Sequence, residues 1–77
     1  MITAIVLVQT EVDRVPEVAE ALAALDGVSE VYSVTGGIDL IAIVRVREHN
    51  ELADVIADRF GKVEGVVGTE THIAFRA

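Results

Sequence analysis

Val34-Thr35-Gly36-Gly37-Ile38-Asp39-Leu40-Ile41-Ala42-Ile43-Val44 joins a glycine pair, a single carboxylate and a nearly unbroken apolar run. Glycine tolerates positive φ at little cost, so Thr35-Gly36-Gly37 reads as a tight hairpin connection. The strand that follows, over residues 38–46, is apolar at both alternating sets of positions until Arg45. A strand with one solvated face alternates apolar and polar side chains; this one does not, so both faces must be covered. Asp39 is the exception. A charge at the mouth of so apolar a strand either caps backbone donors of the turn or faces a ligand.

Before the glycines, residues 28–35 read as a weaker strand suited to a sheet edge, with Val28, Glu30, Tyr32 and Val34 on one face. Upstream lies a helix. Asp13 is its expected N-cap and Pro16 falls in its first turn, where a missing N–H costs little. Val15, Val18, Ala19, Leu22 and Leu25 form one apolar stripe, and Gly27 is suited to end the helix in a left-handed conformation. The chain opens with a strand over residues 2–9, again apolar on both faces. Downstream, Asn50 is the expected cap of a second helix carrying Leu52, Val55, Ile56 and Phe60. Gly61 and Gly65 bracket its exit, and residues 66–75 form the last strand, with Thr69, Thr71, Ile73 and Phe75 on one face.

The order is β-α-β-β-α-β, and the halves match at a shift of about 38 residues. Ala4-Ile5-Val6 falls on Ala42-Ile43-Val44, and Gly27-Val28 on Gly65-Val66. Two βαβ units closing into one four-stranded antiparallel sheet make a ferredoxin-like α+β fold, with right-handed crossovers putting both helices on one face. The first and third strands, the most apolar, should be central. They offer two apolar sets: Ile2, Ala4, Val6, Val8, Leu40, Ala42, Val44 and Val46, and Ile5, Leu7, Ile41 and Ile43. Two helices cover one set. Leaving the other wet forfeits about 1.5–3 kcal/mol per side chain, so a sheet-to-sheet homodimer is expected.

Composition narrows the function. The 77 residues make one small domain, and 52% hydrophobic content is more than so short a chain buries well alone. There is no cysteine, and the two histidines, His49 and His72, do not sit at ligand spacing, so neither a metal nor another cofactor is expected. A net charge of −7 removes the electrostatic driving term for direct nucleic-acid binding. No apolar run reaches the roughly 18 residues of a membrane helix, and the N-terminal stretch lacks the basic flank of a signal peptide, so no membrane partner and a cytoplasmic location are expected.

The hairpin Val34-Thr35-Gly36-Gly37-Ile38-Asp39-Leu40 resembles the Thr-Gly-x-Tyr-Asp signature of the Lrp/AsnC ligand-binding (RAM) domain. The segment Glu64-Gly65-Val66-Val67-Gly68-Thr69-Glu70-Thr71 resembles that family's Gly-Val-x-x-Thr-x-Thr segment, and Ala4 to Thr10 fits its opening strand. The resemblance covers essentially the whole chain. It implies a domain that dimerises through its sheets, assembles into rings and binds an amino-acid effector between dimers. With no helix-turn-helix, the sequence resembles the stand-alone form, which implies modulation of full-length regulators of the family rather than direct DNA contact. The residues the resemblance assigns to the ligand are Thr35, Gly36, Gly37, Ile38, Asp39, Thr69 and Thr71. At the signature, Ile38 replaces a tyrosine and Gly37 stands where a polar residue is frequent, so the pocket should favour aliphatic effectors.

Each of these residues has a plainer reading. Gly36 and Gly37 serve any hairpin, and Thr69 and Thr71 are ordinary β-branched strand residues. Arg45 and Arg47 share a face, where they serve an anion, meet acids across an interface or mark the strand's emergence into water. Two further functions remain open. Dimeric ferredoxin-like barrels also host small monooxygenases and isomerases, but the inward-facing positions here are nearly all aliphatic, which argues against acid–base chemistry. A purely structural assembly domain needs no ligand at all.

Overall fold

The computed structural model describes residues 1–77. Its elements run β1 (Ile2–Thr10), α1 (Val15–Ala23), β2 (Val28–Ser33), β3 (Leu40–Val46), α2 (His49–Ala53), a π-helical turn (Asp54–Arg59), a 3-10 turn (Phe60–Lys62) and β4 (Val66–Ala74). The sheet order is β2-β3-β1-β4 and every pairing is antiparallel, so the two most apolar strands are the central ones. This is the ferredoxin-like α+β arrangement.

Strand parity decides what is buried. Ala4, Val6 and Val8 of β1 and Leu40, Ala42 and Val44 of β3 are fully buried, and they share one core with Val18 and Leu22 of α1 and Leu52, Val55 and Phe60 from the second helical segment. In register, Val6 lies opposite Ala42 and Ala4 opposite Val44, a small residue facing a larger one each time. That alternation lets the helices settle close to the sheet.

Two glycines fix the helix exits. Gly27 has φ +94° and Gly65 φ +99°, left-handed conformations in which a side chain is strained. Each also presses on the opposite helical segment. A Cβ on Gly27 would lie 3.0 Å from Val55 Cγ2, and one on Gly65 would lie 2.8 Å from Val18 Cγ2. The two positions correspond under the internal repeat.

Four local expectations are corrected. The hairpin is not a tight two-residue turn: β2 ends at Ser33 and β3 begins at Leu40, with the Val34 N–H donating to the Asp39 carbonyl (3.0 Å) across the loop. Gly36 alone of the pair takes positive φ, +112°. Val28 does not share a face with Glu30 and Tyr32. The pairing jumps from Val28↔Val44 to Glu30↔Ile43, a bulge that turns Val28 toward the core and leaves Glu30 and Tyr32 on the other side.

The helix starts also differ. Arg14 and Glu48 occupy the N-cap positions, and neither makes a side-chain capping bond, so Asp13 and Asn50 are not caps. Finally, the second helix widens into a π turn after five residues. Its buried positions, Leu52, Val55 and Phe60, explain the choice. The five-residue step from Val55 to Phe60 overshoots an α-helical turn, and i→i+5 bonding returns Phe60 to the core side.

Candidate functional site

The helix-free face of the sheet is the first feature a partner would meet. By register, Ile5 lies opposite Ile43 and Leu7 opposite Ile41, with Tyr32 beside Ile41 on the β2 side. Which apolar set lacked cover was open from sequence. It is this second one: its four aliphatic side chains are only half-buried, while those of the first set on β3 are buried. Tyr32 is 52% exposed. Only 14 of the 77 residues are buried, so a large share of the hydrophobic content remains unenclosed by one chain.

The rim of this face is polar. Thr3 and Arg45 are paired at one end, Glu30 flanks Ile43, and on β4 Glu70 lies opposite Leu7 and His72 opposite Ile5. His72 Nε2 and Glu70 Oε2 are 2.6 Å apart. The margin of the face therefore carries one imidazole. Both partners of the pair are more than half exposed, so it belongs to the rim and not to the aliphatic centre.

At the hairpin end of the same face lies a hollow of about 220 Å³ lined by Leu7, Gln9, Ile38, Gly68, Thr69 and Glu70. Two of the residues expected at a ligand, Ile38 and Thr69, line it, although Thr69 lies opposite Val8 and so shares the helix-side parity of Thr71. Gly37 is tied to it, since Gln9 Nε2 donates to the Gly37 carbonyl at 3.2 Å. Thr35 and Gly36 are exposed in the loop, and Thr71, opposite Val6, is on the helix-side face away from the hollow.

Asp39 does something more specific than capping its own turn. The Asp39 N–H donates to the Val8 carbonyl (3.1 Å), and the Thr10 N–H donates to Asp39 Oδ2 (2.9 Å). Backbone pairing of β1 with β3 stops at Val8↔Leu40. Beyond that point the carboxylate stands in for a strand carbonyl and anchors the loop to β1.

Leu7, Gln9, Gly68 and Glu70 were missed as lining residues. A signal existed for two of them: Leu7 belongs to the second apolar set, and Gln9 is the polar end of the same parity and so falls at the margin of the open face. The others depend on how β4 pairs, and the register shift between Gln9 and Thr10 that shapes this corner is not written in any single residue.

A βαββαβ chain with both helices on one face and an uncovered aliphatic sheet on the other is a ferredoxin-like domain. The family profile of the Lrp/AsnC ligand binding domain matches residues 3–77, and the chain belongs to that family. An uncharacterized HTH-type transcriptional regulator of Pyrococcus furiosus is 40% identical over 72 residues, which are 94% of this chain and 49% of the relative. The chain thus spans about half the length of that relative. The protein TTHA0845 from Thermus thermophilus has a crystal structure that superposes with a TM-score of 0.93 at 51% identity, covering 100% of this chain and 96% of the other. The same fold occurs in a feast or famine regulatory protein of M. tuberculosis complexed with L-methionine, with a TM-score of 0.79 and 23% identity over 100% of this chain and 52% of that one.

Proposed function

We propose that this domain is a non-enzymatic sensor of a small amino acid and an oligomerisation module, and that it modulates transcriptional regulators of its own family. The observation that carries the reading is the juxtaposition of an uncovered aliphatic face with a hollow at its hairpin end. The Pyrococcus furiosus relative is a regulator about twice as long, and the family profile that this chain matches is that of a ligand binding domain.

A second copy packed sheet to sheet removes Ile5, Leu7, Ile41 and Ile43 from water. At about 25 cal/mol per Å² of apolar surface, that burial is the main drive for assembly. Homodimers then associate into rings, bringing hairpin loops of neighbouring dimers together and enclosing the hollow.

Within the hollow, Leu7 and Ile38 supply aliphatic walls for an effector side chain such as that of leucine, isoleucine or valine. The Glu70 carboxylate receives the effector's ammonium group, and loop N–H groups near Gly36 and Gly37, with the β4 edge at Thr69, receive its carboxylate. Asp39 holds the loop in place. No cofactor is needed. The aliphatic centre of the open face supports a binding role over catalysis, because an enzyme requires acid–base groups where the substrate lies.

Calorimetric titration with leucine, isoleucine, valine, asparagine and lysine tests this. Aliphatic amino acids should bind most tightly, and Glu70→Gln should weaken them about ten- to a hundredfold, the loss of one charge-assisted bond. No binding of any amino acid by the oligomer would leave a purely structural assembly domain.

A further inference from the structure

A larger cavity, about 430 Å³, opens at the opposite end of β3 from the hairpin. It lies between the last residues of β3 (Arg45, Val46, Arg47), the turn after α1 (Asp26, Gly27) and the second helical segment with its π turn (Glu51, Asp54, Val55, Arg59), with Met1 at its edge. The seven residues of β3 separate it from the hairpin hollow by roughly 20 Å, at about 3.3 Å per residue. Its floor is apolar and enclosed, since Val46 and Val55 are buried and Gly27 brings the backbone against both.

The walls are charged in an unusual way. The chain has six basic residues, and three of them, Arg45, Arg47 and Arg59, are here. Three carboxylates, Asp26, Glu51 and Asp54, line the same space. Ten acids and three bases remain outside, so the whole net charge of −7 lies elsewhere and the cavity is balanced.

Yet the opposite charges do not pair. The ion pairs of this chain are Arg14–Glu64 and Lys62–Asp58, and Glu70 meets the His72 ring. No carboxylate lies within the 4.0 Å pairing distance of Arg45, Arg47 or Arg59. Arg59 donates once, to the Asp26 carbonyl at 2.9 Å, and Arg45 and Arg47 make no side-chain hydrogen bond. Facing charges that share a concave space without touching leave room for something that bridges them.

We propose that this cavity is a second ligand site, one that takes a small zwitterion: a molecule carrying an oxyanion and a cationic nitrogen a few bonds apart. The guanidinium groups hold the oxyanion, since their planar forks match a carboxylate or phosphate in two-point geometry. Asp26, Glu51 and Asp54 hold the cation. A simple anion satisfies the arginines but sets its charge beside three carboxylates, and a simple cation meets the converse conflict. A zwitterion satisfies both sets at once. The volume lies within the ordinary range for small-molecule pockets, roughly 300–1,000 Å³. The π turn contributes Arg59 and Asp54, one charge of each sign, to the walls.

The inference is independent of the hairpin hollow, and its test keeps the two apart. The full chain, labelled with ¹⁵N, is titrated at constant ionic strength with 6-aminohexanoate, phosphoethanolamine, inorganic phosphate and ammonium, following the Arg side-chain Nε–H signals. Assignment comes from Arg45→Lys, Arg47→Gln and Arg59→Lys. Saturable shifts of these signals with one or both zwitterions, at least tenfold tighter than with phosphate or ammonium, are expected. Arg47→Gln should weaken the response at least tenfold, while Glu70→Gln leaves it unchanged. Arg47 is exposed and makes no side-chain bond, so its replacement leaves the backbone spectrum otherwise intact. Which zwitterion binds better separates carboxylate from phosphate as the oxyanion. Equal or tighter binding of phosphate alone, absence of saturation with both zwitterions, or a response unaltered in Arg47→Gln overturns the proposal.

Discussion

The Thr10 N–H donates to Asp39 Oδ2 at 2.9 Å, joining the last residue of β1 to a loop 29 residues further along the chain. Both residues lie where backbone pairing between the central strands has just ended. The carboxylate extends that pairing by one bond, and Thr10 is itself only 8% exposed, so its amide has poor access to water.

Asp39→Ala leaves this amide without its acceptor and should destabilise the fold by about 1–3 kcal/mol. Asp39→Asn keeps an oxygen in place and should cost about 1 kcal/mol, the difference between a charged and a neutral acceptor. Urea denaturation of both variants checks the order. Equal stability of wild type and Asp39→Ala would mean that the bond carries no weight.

The glycines give a ranked series. Gly36→Ala meets only the backbone cost of its φ of +112°, about 1–2 kcal/mol, because nothing lies within 4 Å of the new methyl group. Gly27→Ala adds a tight approach to Val55, 3.0 Å away. Gly65→Ala adds Val18 at 2.8 Å and Arg14 Cβ at 3.2 Å, an overpacking term of roughly 1–3 kcal/mol. Thermal melts should therefore fall in the order Gly36, Gly27, Gly65, and any other order contradicts the packing described.

Lysine substitutions separate the two faces of the sheet. Val6 is fully enclosed by its own chain, so Val6→Lys buries an unpaired charge and should abolish cooperative folding. Ile43 is half-buried, and Ile43→Lys should act chiefly on the proposed dimer. Sedimentation at low micromolar concentration should then give a smaller species for Ile43→Lys, with a lowered melting temperature. Wild-type protein that sediments as a folded monomer would remove the sheet-to-sheet dimer altogether.

Mobility-shift titration with duplex DNA at physiological salt should give no complex with this domain up to low micromolar concentration. The net charge of −7 opposes phosphate, and the arginines that cluster at one end are balanced by local carboxylates. Salt-sensitive binding below that concentration would contradict this.

Strand order, core and helix placement were legible because parity and period carry them. Val6, Val8, Leu40 and Val44 fall on one face by counting, and Val18 and Leu22 by helical spacing. Features that hang on a single inserted residue were not legible. The bulge after Val28 reverses that residue's face, and nothing in Val28-Ser29-Glu30 announces it. The π turn is similar: Val55 and Phe60 fit an α-helix passably, and only the packed core selects the wider turn. Of the candidate site, Ile38 and Thr69 could be found by position, whereas Glu70 needed the register of β4 against β1.

The reciprocal seating of Gly27 against Val55 and Gly65 against Val18 has a consequence for how the two halves of the chain depend on each other. Each half-repeat ends its helix on a glycine whose close approach is to the helical segment of the other half. Half a chain would keep its turn but lose the surface that turn is shaped to meet. The repeat is therefore one cooperative unit despite its internal duplication. Amide exchange in α1 and in the second helical segment should accordingly report one shared opening free energy, so that loosening either helix releases both.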